Sequence, residues 1–166
     1  YHFSKSQREA LTEVLKPEYA QMLAELVGTY GGEVSLDEAQ IRAMLFAMPK
    51  DISERRRAVV EKAYSLLGKV NYFWGGKSEA GWNDEWNTPK LVTAAGSSST
   101  GTIRPYGLDC SGFTDWVYKT ALGVSLYAGT WNQWDNTYAI TEDELLPGDL
   151  GFMAAPGTVP VNHVLI

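Results

Sequence analysis

The chain has 166 residues, 45% of them hydrophobic and 20% charged, which fits one average domain with a small appendage and excludes a disordered or fibrous chain. Acidic residues outnumber basic ones 20 to 14, and the net charge of −6 repels phosphate backbones, arguing against a nucleic-acid partner. No apolar run approaches the ~20 residues of a membrane-spanning helix, and the single cysteine excludes an intrachain disulfide or a multi-cysteine zinc site.

The first fifty residues read as helices. Ser4 with Gln7 and Ser6 with Glu9 have capping-box spacing, and Leu11, Val14 and Leu15 follow at helical intervals. Pro17 suits the first turn of a second helix carrying Tyr19, Met22, Leu23, Leu26 and Val27, ended by Gly31-Gly32. Ser35 and Glu38 cap a third, with Ile41, Met44, Leu45 and Met48 on one face and Pro49 as its stop. These helices carry no cysteine and no paired polar cluster, so residues 1–50 are expected to be an accessory helical segment and 51–166 the functional domain. The chain opens on Tyr1 without a signal-peptide pattern and closes on Val164-Leu165-Ile166 without a turn, so it reads as a segment of a longer protein.

Asp51 and Glu54 form another capping box before a helix with Val59, Val60, Ala63, Leu66 and Leu67, stopped by Gly68. Val70 to Trp74 is short, aromatic and β-branched, which predicts a strand closed by Gly75-Gly76. Residues 77–107, rich in Gly, Ser, Thr, Pro and Asn and containing Trp82 and Trp86, read as one long loop. Helical spacing returns at Phe113, Trp116, Val117, Thr120 and Ala121, with Gly123 as the stop. A polar, aromatic stretch with Trp131 and Trp134 follows. The turn Leu145-Leu146-Pro147-Gly148-Asp149 then leads into strands expected over 150–154 and 161–166. Helices first and strands last predict an α+β domain, not a parallel doubly wound one.

Two apparent motifs fail. Gly75-Gly76-Lys77-Ser78 resembles the end of a phosphate-binding loop, but Asn71 stands where its first glycine belongs, and Tyr72, Phe73 and Trp74 crowd the cradle. Asn83, Asp84, Glu85 and Asn87 lack the alternating spacing and terminal glutamate of a calcium loop. No metal or other cofactor is expected.

The informative run is Gly107-Leu108-Asp109-Cys110-Ser111-Gly112-Phe113. Cys110 stands where a loop passes into a helix, and the free N–H groups and dipole of a helix start favour a thiolate. A lone cysteine is more often a buried small apolar group, but a packing cysteine has no need of Asp and Ser neighbours at a helix start. A nucleophilic cysteine needs a base. Of the two histidines, His2 lies near the N-terminus and His163 opens the last expected strand, within the same domain as Cys110. Cysteine on a helix, then histidine on a strand about fifty residues later, is the papain-like order.

Tyr72-Phe73-Trp74-Gly75-Gly76, Asp109-Cys110-Ser111-Gly112-Phe113, Leu146-Pro147-Gly148-Asp149-Leu150 and Asn162-His163-Val164 occur in that order. Together, over roughly residues 55–166, they resemble the NlpC-type family of bacterial cell-wall endopeptidases, a papain-like clan. The resemblance implies helices packed on a small antiparallel sheet, incomplete at the C-terminus. It implies a secreted cysteine peptidase of the bacterial cell wall, acting on peptidoglycan stem peptides at the bond from γ-D-glutamate to a diamino acid; a monomer is expected. Carried over by position, Cys110 resembles the nucleophile, His163 the base, and Tyr72 the tyrosine whose hydroxyl sits near the thiol. Asp109, Ser111 and Trp74 resemble substrate-binding residues, the first two lining a pocket for the substrate's free amino end. Alternatives for Tyr72 and Asp109 are a core aromatic and a helix cap. The family's third polar residue, which orients the imidazole, would fall beyond Ile166, and the 77–107 loop is longer than the family leads one to expect. An amidase or acyltransferase on the same scaffold, or a non-catalytic wall-binding module, are the competing functions.

Overall fold

The computed structural model describes residues 37–154 and 161–166, all within the compact unit Leu36–Ile166. The capping boxes at Ser4 and Ser6, the two helices expected through Val27, and His2 lie outside the described residues.

Both helix starts expected in this region fall two residues later than the sequence reading put them. Helix α1 (Glu38–Ala47) is capped by Asp37 in place of Ser35: Gln40 N–H donates to Asp37 Oδ1 at 2.8 Å, and Asp37 N–H donates back to Gln40 Oε1 at 3.0 Å. Helix α2 (Glu54–Ser65) is capped by Ser53 in place of Asp51, its Oγ accepting the Arg56 N–H at 3.3 Å. Several polar residues precede each helix, and spacing alone does not decide which of them turns its oxygen onto the first free N–H groups. The chain leaves α2 through Gly68, whose φ of +68° lies in the left-handed region.

The strand expected over 70–74 is shorter than that. Strand β1 (Asn71–Tyr72) pairs in parallel with β4 (Gly107–Leu108), Asn71 opposite Gly107 and Tyr72 opposite Leu108. Phe73 N–H continues the ladder to the Leu108 carbonyl at 3.0 Å. The region expected to be loop is partly strand: β2 (Pro89–Leu91) and β3 (Ile103–Pro105) form an antiparallel pair. Its strands are three residues long, mostly exposed and edged by prolines, so they carry no alternating apolar signal.

β4 runs through Asp109 directly into helix α3 (Cys110–Leu122), which ends at Gly123 in the left-handed conformation, as expected. The polar, aromatic stretch contains a short helix α4 (Thr130–Asp135) that the sequence reading did not identify. Strands β5 (Gly151–Ala154) and β6 (Val161–Leu165) form an antiparallel hairpin. Helices with small sheets make the α+β class expected from the sequence, although β1 and β4 run parallel.

The buried core joins Val59 on α2, Leu66 at its C-cap, Leu108 on β4, and Trp116 and Val117 on α3 with Trp86 from the 77–107 region. Trp86 stacks edge-on to both Trp82 and Trp116, with ring centroids 5.0 and 5.6 Å away. The Trp116 indole N–H donates to the Gly81 carbonyl at 2.7 Å. The long connection is therefore anchored in the core by a tryptophan. At the far end of α2, Arg56 bridges to Asp149 at 2.7 Å and to the Pro147 carbonyl at 3.1 Å, and the Tyr118 hydroxyl donates to the Gly148 carbonyl at 2.6 Å. These contacts hold the turn before β5 against α2 and α3.

Close backbone approach governs the junction of β1, β4 and α3. A Cβ on Gly107 would lie 1.8 Å from the Asn71 carbonyl oxygen, and one on Gly76 would lie 2.1 Å from the Gly107 carbonyl oxygen. One on Gly112 would lie 2.2 Å from the Gly76 carbonyl oxygen. All three obstacles are backbone atoms, which cannot swing aside. Gly107→Ala is therefore expected to destabilise the fold by at least the ~1–3 kcal/mol of an overpacked interior, read as a lower urea midpoint. An unchanged midpoint would show that the strands can separate at no cost.

Candidate active site

Asp109 decides where α3 begins. Its backbone is extended and its Oδ1 accepts the Gly112 N–H at 2.7 Å, the geometry of an N-cap. The Phe113 N–H donates to the Asp109 carbonyl at 2.8 Å, which makes Cys110 the first helical residue. The thiol thus sits at a helix start, half-buried, where the dipole favours negative charge.

The parallel pairing of β1 with β4 puts Tyr72 across from Leu108, two residues before Cys110. Although much of the Tyr72 ring is exposed, its hydroxyl is held above the ordinary tyrosine value of 10.0. Partial burial is the largest cause, followed by the negative charge of an ionised Cys110 and of Asp109 and by hydrogen bonding to the Cys110 side chain; the Cys110 backbone acts the other way. Tyr72 therefore stays protonated through neutral pH and keeps a donor beside the thiol.

His163 lies half-buried on β6, opposite Met153, next to a register irregularity that pairs Ala154 with Val161 and leaves Asn162 without a counterpart. Such bulges re-aim neighbouring side chains. Tyr72, Asp109, Cys110 and His163 line one cavity of about 330 Å³, whose other walls include Phe113 and Ile166. Four of the six site residues read from the sequence are thus brought together. The other two do not line the cavity: Ser111 is buried and bonded to Asp109, and the Trp74 indole N–H donates to the Ala95 carbonyl at 2.9 Å.

Asp109 and Ser111, expected to receive a substrate ammonium, instead hold the ammonium of Lys77. Lys77 Nζ bridges to Asp109 Oδ2 and lies 3.2 Å from Ser111 Oγ, while Ser111 Oγ donates to Asp109 Oδ1 at 3.0 Å. Lys77 appears in the sequence only as part of the failed phosphate-loop pattern, because its partner is 32 residues away.

The structure adds two residues that the sequence reading missed. Thr130, the first residue of α4, brings its hydroxyl to 3.9 Å from Cys110 Sγ. Gln133, 1% exposed, fastens α4 to the start of α3. Its Nε2 donates to the Ser111 carbonyl at 2.8 Å and the Tyr127 carbonyl at 3.0 Å, and its Oε1 accepts from Thr114 Oγ1 at 2.8 Å. A glutamine in a polar stretch gives no sequence signal of such burial. Among the described residues, no group of three or more His, Cys, Asp or Glu side chains could hold a metal ion, and no helix is long and apolar enough to cross a membrane.

The model of the NlpC/P60 family matches residues 68–166. No curated protein and no solved structure matches the chain.

Two outcomes are expected from this geometry. Gln133→Leu keeps the volume but orphans the Ser111 and Tyr127 carbonyls, so it should cost about 1–3 kcal/mol in chemical denaturation; a neutral result would mean that water replaces the amide. In ultraviolet titration, the tyrosine lost in Tyr72→Phe should be one that ionises above the ordinary value. Cys110→Ala should lower that ionisation without fully normalising it, since burial remains. The folded state holds this proton more tightly than the unfolded chain. Its contribution to stability is therefore present below the unfolded value of about 10 and is lost as pH rises through the folded one.

Proposed function

The chain belongs to the NlpC/P60 family, whose members are cell-wall hydrolases, generally cysteine peptidases, and from that premise we propose that it cleaves peptidoglycan stem peptides with Cys110 as nucleophile and His163 as base. The observation that carries this reading is the shared cavity: the first residue of α3, a histidine on β6 and Tyr72 line one space. In the proposed reaction the Cys110 thiol gives its proton to His163, and the thiolate attacks the carbonyl carbon of the γ-D-glutamyl–diamino acid amide. The negative charge moves to the carbonyl oxygen, where the Cys110 N–H and the Tyr72 hydroxyl are the candidate donors. Collapse breaks the C–N bond, His163 gives its proton to the leaving amine, and a thioester remains on Cys110. His163 then takes a proton from water as it attacks the thioester, and Cys110 is released.

Residues 51–166 would be the peptidase domain and 1–50 its accessory helical segment. With that substrate, the site of action would be the bacterial cell wall, outside the membrane, and the protein would act as a monomer. In the full-length protein, Cys110→Ala and Cys110→Ser should abolish hydrolysis of purified muropeptides without unfolding the domain. His163→Ala should slow it by at least the ~10²-fold typical of losing a general base. Mass spectrometry of the products identifies the new amino terminus and hence the bond. Near-native hydrolysis by Cys110→Ala would overturn the assignment, and a new terminus at a sugar-linked amide would move it to the amidase class.

A further inference from the structure

We propose that Thr130 is a further catalytic residue: its hydroxyl donates to the Cys110 sulfur and favours the thiolate over the thiol. The inference rests on the peptidase reading of Cys110 and gives that site a donor acting on the nucleophile, not on the substrate. Thr130 is half-buried, and its Oγ1 lies 3.9 Å from Cys110 Sγ. Among the described residues, the sulfur is the one hydrogen-bond partner of this hydroxyl. As a thiol, Cys110 can give or accept that bond; as a thiolate it has no proton and can only accept. The hydroxyl therefore favours the charged form. Hydrogen bonds at a catalytic group are often long in the resting state and tighten as the reaction proceeds.

The turn before α4 holds Thr130 in that place. Tyr127 has a φ of +66°, uncommon for an aromatic residue, and Gly129 a φ of +93°. A side chain in this region persists only where its surroundings over-determine it, and here they do. The Tyr127 N–H donates to Ser125 Oγ at 3.0 Å, and the Leu126 N–H to the buried Asp115 carboxylate at 2.7 Å. The Tyr127 carbonyl accepts from Gln133 Nε2, which also donates to the Ser111 carbonyl, one residue past the nucleophile. One buried amide thus ties the turn that delivers Thr130 to the helix start that carries Cys110. The titratable groups around the sulfur are Tyr72 from β1, Asp109 at the start of α3 and His163 from β6, with Lys77 paired to Asp109. Thr130 moves no proton: Cys110 gives its own to His163, and Thr130 keeps its hydrogen while donating it to the sulfur. The same donor meets the sulfur again when the thioester C–S bond breaks and the electron pair returns to Cys110.

The test follows alkylation of Cys110 by iodoacetamide from mildly acidic to alkaline pH, read by mass spectrometry of the peptide that carries it, in the full chain and its Thr130→Val and Thr130→Ser variants. Thr130→Val should slow alkylation at neutral pH roughly threefold to tenfold, the scale of one net hydrogen bond, and Thr130→Ser should restore most of the rate. In alkali the thiol ionises with or without the donor. There the Thr130→Val rate should match or exceed the parent rate, because a more basic thiolate is the better nucleophile. Should Thr130→Val fail to fold, Thr130→Ala takes its place. Alkylation unchanged by loss of the hydroxyl would overturn the proposal. So would a deficit that persists undiminished in alkali, which is the mark of altered access, or a Thr130→Ser protein as slow as Thr130→Val. Muropeptide hydrolysis is measured separately, and there Thr130→Val should lower kcat with KM little changed. A raised KM at unchanged kcat would make Thr130 a substrate contact and contradict the assignment. Absence of hydrolysis by the parent protein counts against the peptidase reading and leaves the alkylation rates to judge Thr130.

Discussion

The Asp109 carboxylate is the interaction on which the site depends. One buried group caps α3 through the Gly112 N–H, accepts the Ser111 hydroxyl and pairs with Lys77. Its backbone N–H, in the same residue, reaches the Gly76 carbonyl at 3.1 Å. Through these bonds a single residue fixes where the helix begins, which side chain stands at its first position and how the Gly75-Gly76 turn after β1 lies against it. The convergence is possible only because Gly76, Gly107 and Gly112 bring no Cβ between backbones that nearly touch. A side chain at Gly107 would part β1 from β4, and with it Tyr72 from Cys110.

A second layer of support comes from α4. Gln133 spends its amide on the Ser111 and Tyr127 carbonyls and on Thr114, so the first turn of α3 is braced by α4. The same helix brings Thr130 to the thiol and packs Trp134 edge-on to Phe152 of β5, with centroids 5.3 Å apart. β5 in turn carries β6 and His163. The nucleophile and the histidine therefore come from elements that share α4 as an intermediary, and a fully satisfied buried amide is well suited to keep such an arrangement rigid.

The legible parts of the sequence were those whose signal is local. Asp109-Cys110-Ser111-Gly112 announces a helix start because the cap and the N–H it satisfies are three residues apart. The apolar spacing of α3, its Gly123 stop and the strand at 161–165 are read in the same way. What escaped notice depends on partners distant in the chain. Lys77 has its meaning only from Asp109, Gln133 only from carbonyls on other elements, and Trp86 only from Trp116 and the core around it. The β2–β3 pair escaped because its residues are mostly exposed and lack a buried face to impose alternation. The caps at Asp37 and Ser53 were displaced by two residues because several neighbouring oxygens compete for the same N–H groups.

The central claim, that Cys110 attacks a stem-peptide amide, is tested most directly by catching the intermediate. The full-length protein is mixed with a muropeptide, quenched in acid at short times, and digested for mass spectrometry. A thioester carrying the γ-glutamyl fragment on the peptide that contains Cys110, appearing before free product and vanishing as substrate is exhausted, is the result the account predicts. Product accumulating with no adduct on Cys110 at any time, or an adduct on another side chain, would contradict it.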